Sequence, residues 1–140
     1  MRTARSSLGR RSFALLMAPL FSALSQRVPV HETVEVRMIV YSGEPDPRWT
    51  FTAPQEMDFL RKAFAGLEGV ETPEWPSLGW RGFRLVSDRV LGVPGSARVF
   101  RGVICIEEDG ESRCYRDRHG LERWLVEQAK QRGFGRTIEQ

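Results

Sequence analysis

The chain holds two cysteines and two histidines among 140 residues. That scarcity excludes most metal and nucleophile chemistry. A zinc site needs three or four Cys, His or carboxylate ligands at workable spacing, and His31 and His119 stand far apart in sequence. No Gly-x-Ser-x-Gly elbow is present for a serine hydrolase, and no glycine-rich loop follows a strand to cradle phosphate. The acids Glu107, Glu108, Asp109 and Glu111 lack the alternating spacing of a calcium loop. The sequence therefore assigns no catalytic residue, no metal and no cofactor.

Long hydrophobic runs are also missing. The longest, Ala14 to Leu24 with Ser22 inside it, is about half the ~20 residues that a membrane-spanning helix requires, and Pro19 interrupts it. No stable membrane span is expected. An excess of basic charge is missing as well, once its position is considered. The formal charge is +3 and the pI about 9.3, but residues 1–25 contain Arg2, Arg5, Arg10 and Arg11 and no acid. The remainder carries seventeen bases against eighteen acids, a balance of −1. Nucleic-acid binding normally needs a clustered basic footprint, so a nucleic-acid partner is not expected.

What is present begins with that N-terminal segment. A basic head, a short apolar stretch and Ala23-Leu24-Ser25 form the three regions of a secretory signal peptide. This reading divides the chain into a signal peptide, 1–25, and one small domain, 26–140. Arg10-Arg11-Ser12-Phe13 resembles the bacterial twin-arginine export signal, with Ala14 and Leu15 where that family prefers Leu and Lys. The resemblance implies a periplasmic or secreted protein; general secretion is the other export route. A mitochondrial presequence is the alternative address, but its arginines would alternate with apolar residues, and here they precede them.

In the domain, Val34 to Tyr41 alternates and then turns apolar, a strand pattern. Pro45 and Pro47 end it. Thr52-Ala53-Pro54-Gln55 has the form of a capping box, and Met57, Leu60, Ala63, Phe64 and Leu67 give one apolar helix face. Gly82 to Ser87 reads as a short strand, Ala97 to Ile106 as a long one, and Arg113 to Asp117 as its return. A last helix starts near Gly120, with Asp117 as its cap and Leu121, Trp124, Leu125 and Ala129 as its stripe. The expected fold is α+β: a two-layer sandwich with a small, mostly antiparallel sheet, helices on one face, and order β-α-β-β-β-α.

The two cysteines flank Asp109-Gly110 symmetrically. Asp-Gly favours a type I′ hairpin, which sets Cys105 opposite Cys114 at a non-hydrogen-bonded pair, where Cα atoms lie about 4.5 Å apart. A disulfide is expected there, on the more polar side of the sheet and partly exposed, and it would persist in the oxidising compartment that an export signal implies. Phe100, Ile104 and Ile106 are expected on the core side.

Aromatic and arginine side chains supply the remaining candidates. Arg48, Trp49, Trp75, Trp80 and Arg81 are possible contacts for an unknown protein or small ligand, because Trp and Arg anchor binding surfaces. The competing account is that the tryptophans cap a small core. Tyr41-Ser42-Gly43-Glu44-Pro45-Asp46-Pro47-Arg48-Trp49 resembles Ser-Gly-Arg-Pro-Asn-Pro-x-Trp segments of exported bacterial proteins, with Glu44 and Asp46 departing from them; the likeness implies no activity. The leading expectation is a non-enzymatic binding module. The alternatives are a small hydrolase or transferase using His119 and nearby acids, and an inhibitor or accessory subunit presenting the Pro-rich loop 43–49.

Overall fold

The computed structural model describes residues 32–41, 43–75 and 79–139, with the backbone alone at 41, 79 and 80. The expected signal peptide 1–25, the start of the domain before residue 32, and His31 lie outside the described residues.

The fold is α+β. Seven antiparallel strands form one sheet: β1 (Val34–Tyr41), β2 (Arg48–Phe51), β3 (Gly69–Val70), β4 (Gly79–Ser87), β5 (Ser96–Phe100), β6 (Val103–Glu108) and β7 (Glu111–Arg116). Their order across the sheet is β2-β1-β4-β5-β6-β7-β3. Helices α1 (Pro54–Ala63) and α2 (Leu121–Gln131) and the single turn α3 (Gly135–Ile138) complete it. No helix among the described residues is long and apolar enough to cross a membrane.

The core follows from alternation. Val34, Val36, Met38 and Val40 of β1 join Phe51, Phe83, Leu85, Ala97, Val99 and Ile104 in one buried cluster. Met57, Leu60 and Ala63 of α1 and Leu121, Leu125 and Ala129 of α2 close the same cluster. The i, i+3/i+4 spacing of those residues puts them on one stripe of each helix. Phe64 is the C-cap of α1 and packs against the cluster partly buried, as does Leu67.

The helix caps show how local chemistry sets the boundaries. The α1 cap is one residue later than the Thr52–Gln55 box: Ala53 is the N-cap, Pro54 begins the helix, and the Glu56 carboxylate accepts the Ala53 N–H at 3.1 Å. A carboxylate at this third helical position also faces the positive end of the helix dipole. At α2, Asp117 accepts the N–H groups of Leu121 and Glu122, each at 2.8 Å. Gly120, at φ 71°, supplies the left-handed step that brings Asp117 back over the helix start.

Several expectations are corrected by the ladder. Residues 97–106 are two strands, not one, because Arg101 (φ 49°) and Gly102 (φ 74°) make a second tight turn. Its dihedral pattern repeats that of Asp109 (φ 51°) and Gly110 (φ 78°), the type I′ form that suits strand twist. The turn pairs Val99 with Ile104 and Phe100 with Val103. Val99 is therefore the residue that shares the core face with Ile104, and Phe100 lies on the opposite face. Strands β2 and β3 and the turn α3 were absent from the expected order β-α-β-β-β-α; β2 continues from Pro47, whose carbonyl accepts the Met38 N–H at 2.9 Å. Past that point Asp46 takes the role of a strand, its side chain accepting the Val40 N–H at 3.1 Å.

The hairpin register itself matches the sequence derivation: Glu108 pairs with Glu111 and Cys105 with Cys114, and the two sulfurs are bonded. So short a loop gives a closure contribution of about 2–3 kcal/mol. The bond is not partly exposed, however. Cys105 and Cys114 are 3% and 5% accessible. The chain after β3 lies over them, with the Thr72 hydroxyl 3.7 Å from the Cys114 sulfur and the Trp75 ring 5.8 Å from that of Phe100.

Candidate anion-binding face

The face of the sheet turned away from the buried cluster carries the residues that alternate with the core. On β2, β1, β4 and β5 these include Arg48, Arg37, Arg84 and Arg98. The pairing registers put them in a single transverse row: Arg37 opposite Arg48, Arg37 opposite Arg84, and Arg84 opposite Arg98. The row continues through Cys105 and Cys114. Four arginines thus stand on four consecutive strands, at a strand spacing of about 4.8 Å. Like charges directly opposite each other on neighbouring strands destabilise a sheet, so three such pairs in succession are costly to folding.

Partial compensation is visible. Glu35 accepts from Arg37 Nε at 2.8 Å, and Glu107 accepts from Arg84 at 3.2 Å. Both pairs are solvent-exposed, where an ion pair contributes about 0–1 kcal/mol. Arg98 is held differently. Its guanidinium lies 4.0 Å from the Trp75 ring centre and donates to the Arg81 carbonyl at 3.3 and 3.4 Å. A cation over a Trp face gains about 0.5–2 kcal/mol, so Trp75 both covers and positions this arginine. Arg48 has no ion-pair partner among the described residues.

A second row runs parallel to the first, one pair along the strands. It contains Thr50 and Glu35, paired with each other, then Val86, opposite Glu35, and Ser96, opposite Val86. The face therefore presents a line of guanidiniums beside a line of hydroxyl, carboxylate and one apolar side chain. Arginine is the base used almost throughout the chain, nineteen against the two lysines Lys62 and Lys130. Its planar fork suits bidentate recognition of carboxylate or phosphate, which an ammonium cannot match.

The five sequence candidates separate on this geometry. Arg48 is in the row, Trp75 and the Arg81 carbonyl hold Arg98, and the Trp80 side chain lies outside the described residues. Trp49 is on the other face, packed against the core with Phe51, Phe83 and Phe134 at 6.1, 6.2 and 6.0 Å between ring centres. Arg37, Arg84 and Arg98 were missed. Each follows or precedes apolar residues in an ordinary alternating strand, and only the register between strands aligns them.

The alternative sites do not assemble. His119 is exposed, and its Nε2 lies 3.3 Å from the Ala65 carbonyl, beside the end of α1. The acidic tip around Asp109 is at the far end of β7, a strand of six residues and roughly 20 Å long. The acids nearest His119 in sequence are engaged: Asp117 caps α2, and Glu122 accepts the Gly102 N–H at 2.8 Å. Among the described residues no three His, Cys, Asp or Glu side chains gather as a metal site. A groove of about 630 Å³ lined by the loop 89–96, Glu107 and Glu108 has no convergent chemistry of this kind.

Protein-family models, curated proteins and solved structures all show no match to this chain.

Proposed function

We propose that the chain is an exported, non-enzymatic binding module whose contact surface is the arginine face. In this reading it is a two-layer sandwich: both helices cover one side of the sheet, which leaves the other side for a ligand. One observation carries the reading. Four arginines in register across β2, β1, β4 and β5 oppose folding, and an anionic ligand relieves that repulsion on binding. The disulfide supports it by tying β6 to β7 at the positions that continue the row.

The net charge makes the test sharp. Residues 26–140 carry one more acid than base, so a uniform surface of that charge is repelled by a carboxylated matrix at pH 8. The domain is nevertheless expected to be retained there at low salt and released by salt, because the arginines are gathered on one face. Arg37→Gln with Arg84→Gln is expected to abolish retention with circular dichroism unchanged. Equal elution of parent and double variant sinks the assignment of this face.

Export has its own test. Residues 1–35 fused to a folded reporter are expected to carry it out of the cytoplasm, and Arg10→Lys with Arg11→Lys to block this on the twin-arginine route. Continued export of that variant points to general secretion, and no export of the intact fusion removes the periplasmic or secreted assignment.

A further inference from the structure

We propose that residues 71–75 form a strap that gates reduction of the Cys105–Cys114 bond: a thiol reaches the sulfurs only when the strap lifts, while the rest of the domain stays folded. The register sets out its path. Val70 pairs with Cys114, Cys114 with Cys105, and Cys105 with Arg98, so these four positions follow one another across β3, β7, β6 and β5. The strap leaves the sheet at Val70 and crosses the bond, with the Thr72 hydroxyl 3.7 Å from the Cys114 sulfur. Trp75 closes the far end, its ring centre 4.0 Å from the Arg98 guanidinium and 5.8 Å from that of Phe100. The cysteines are therefore 3% and 5% accessible on a face where Arg37 and Arg84 are exposed.

The strap is held lightly. Glu71, Thr72 and Glu74 are exposed, and β3 is two residues long. Among the described residues, no backbone hydrogen bond beyond the strand ladders ties 71–75 to the domain. Segments with so few contacts open at less than the free energy of global unfolding. A cation over a Trp face shifts such an opening by about 2- to 30-fold, which makes Trp75 the latch. With the strap lifted, a dithiol completes the exchange alone. One of its thiolates attacks a protein sulfur, the S–S bond breaks, and the electron pair leaves on the other cysteine. The second thiolate of the reagent then displaces the first cysteine from the mixed disulfide. The reagent ends as a cyclic disulfide and the protein, two electrons richer, takes up two protons as a pair of thiols.

The experiment follows reduction of the full disulfide-bonded chain by excess dithiothreitol at fixed pH, with alkylation of the released thiols read by mass spectrometry. The parent rate is expected to rise in proportion to the reagent and to stay nearly flat in sub-denaturing urea, because lifting the strap exposes little surface. Trp75→Ala is expected to react about tenfold faster with circular dichroism unchanged, and Trp75→Phe to fall between it and the parent. Val36→Ala tests the route. Val36 is fully enclosed on β1, three strands away from β6, so its truncation lowers the urea midpoint and is expected to leave the reduction rate as it was. A parent rate for Trp75→Ala overturns the latch. Reduction of the folded parent as fast as of the urea-unfolded chain shows that the strap shields nothing. Faster reduction of Val36→Ala, in step with its lost stability, places the route through global unfolding and removes the gate.

Discussion

Gly82→Ala is expected to destabilise the domain by about 3–5 kcal/mol, combining left-handed backbone strain with overpacking. Gly82 has φ +91°, and a Cβ there would meet the Val99 carbonyl oxygen at 2.2 Å and the Phe100 Cβ at 2.7 Å. Neither neighbour can give way: one is the backbone of β5, and the other is the Cβ of a buried side chain, fixed to that same backbone. The glycine sits in a bulge, since the β1–β4 register shifts between Met38 opposite Phe83 and Val40 opposite Trp80. Bulges of this kind use a left-handed glycine to accommodate an extra residue. Urea unfolding checks the loss. Gly43→Ala is the control, because Gly43 has φ +77° but nothing within 4 Å of its added Cβ, so it bears the backbone term alone. Equal losses at both positions contradict the close approach. The substitution is also expected to disturb the arginine face, since the neighbouring Arg81 carbonyl holds Arg98.

Phe51→Ala is the second large effect, at about 3–5 kcal/mol for a fully enclosed aromatic. Phe51 ends β2 with no accessible surface. Its ring lies 4.7 Å from Trp124 of α2 and edge-on to Trp49 at 6.1 Å, so its loss opens a cavity between the edge of the sheet and the helices. Phe64→Ala, which removes a partly buried ring at the C-cap of α1, is expected to cost clearly less in the same unfolding measurement. A ranking with Phe64 above Phe51 contradicts the placement of β2 at the core.

These two positions mark how legibility divides. Both main helices are readable because their apolar residues recur every three or four positions, and a stripe of that kind has only one way to be buried. Phe64 carries that signal as strongly as Leu60, yet only its backbone, at φ −95° and ψ 0°, shows that the helix ends before it. Phe51 stands between a proline-rich segment and a helix start, where no periodicity flags a strand. Its four-residue strand exists because β1 offers an edge, and that edge is formed by residues 34–37.

The disulfide pairing was settled by local sequence. An Asp-Gly turn joins neighbours in the chain, so counting outward from it fixes the register to Cys105 and Cys114 without knowledge of the rest of the fold. The Arg101-Gly102 turn obeys the same physics but lacks an Asp or Asn to announce it, and missing it reversed the faces of Val99 and Phe100. The burial of the disulfide depended on residues 71–75 folding back across the sheet, a contact between segments about 40 positions apart in sequence.

The sequence by itself determined the class of fold, its two main helices and one covalent link, because each rests on interactions between residues near in the chain. It also determined a total charge close to zero for the domain. Only the tertiary structure decided where that charge stands. Arg37, Arg48, Arg84 and Arg98 belong to four different strands, and a shift of one residue in any pairing would turn that strand's arginine to the other face of the sheet. Their alignment is a property of hydrogen-bonded register, which composition and spacing along the chain do not contain.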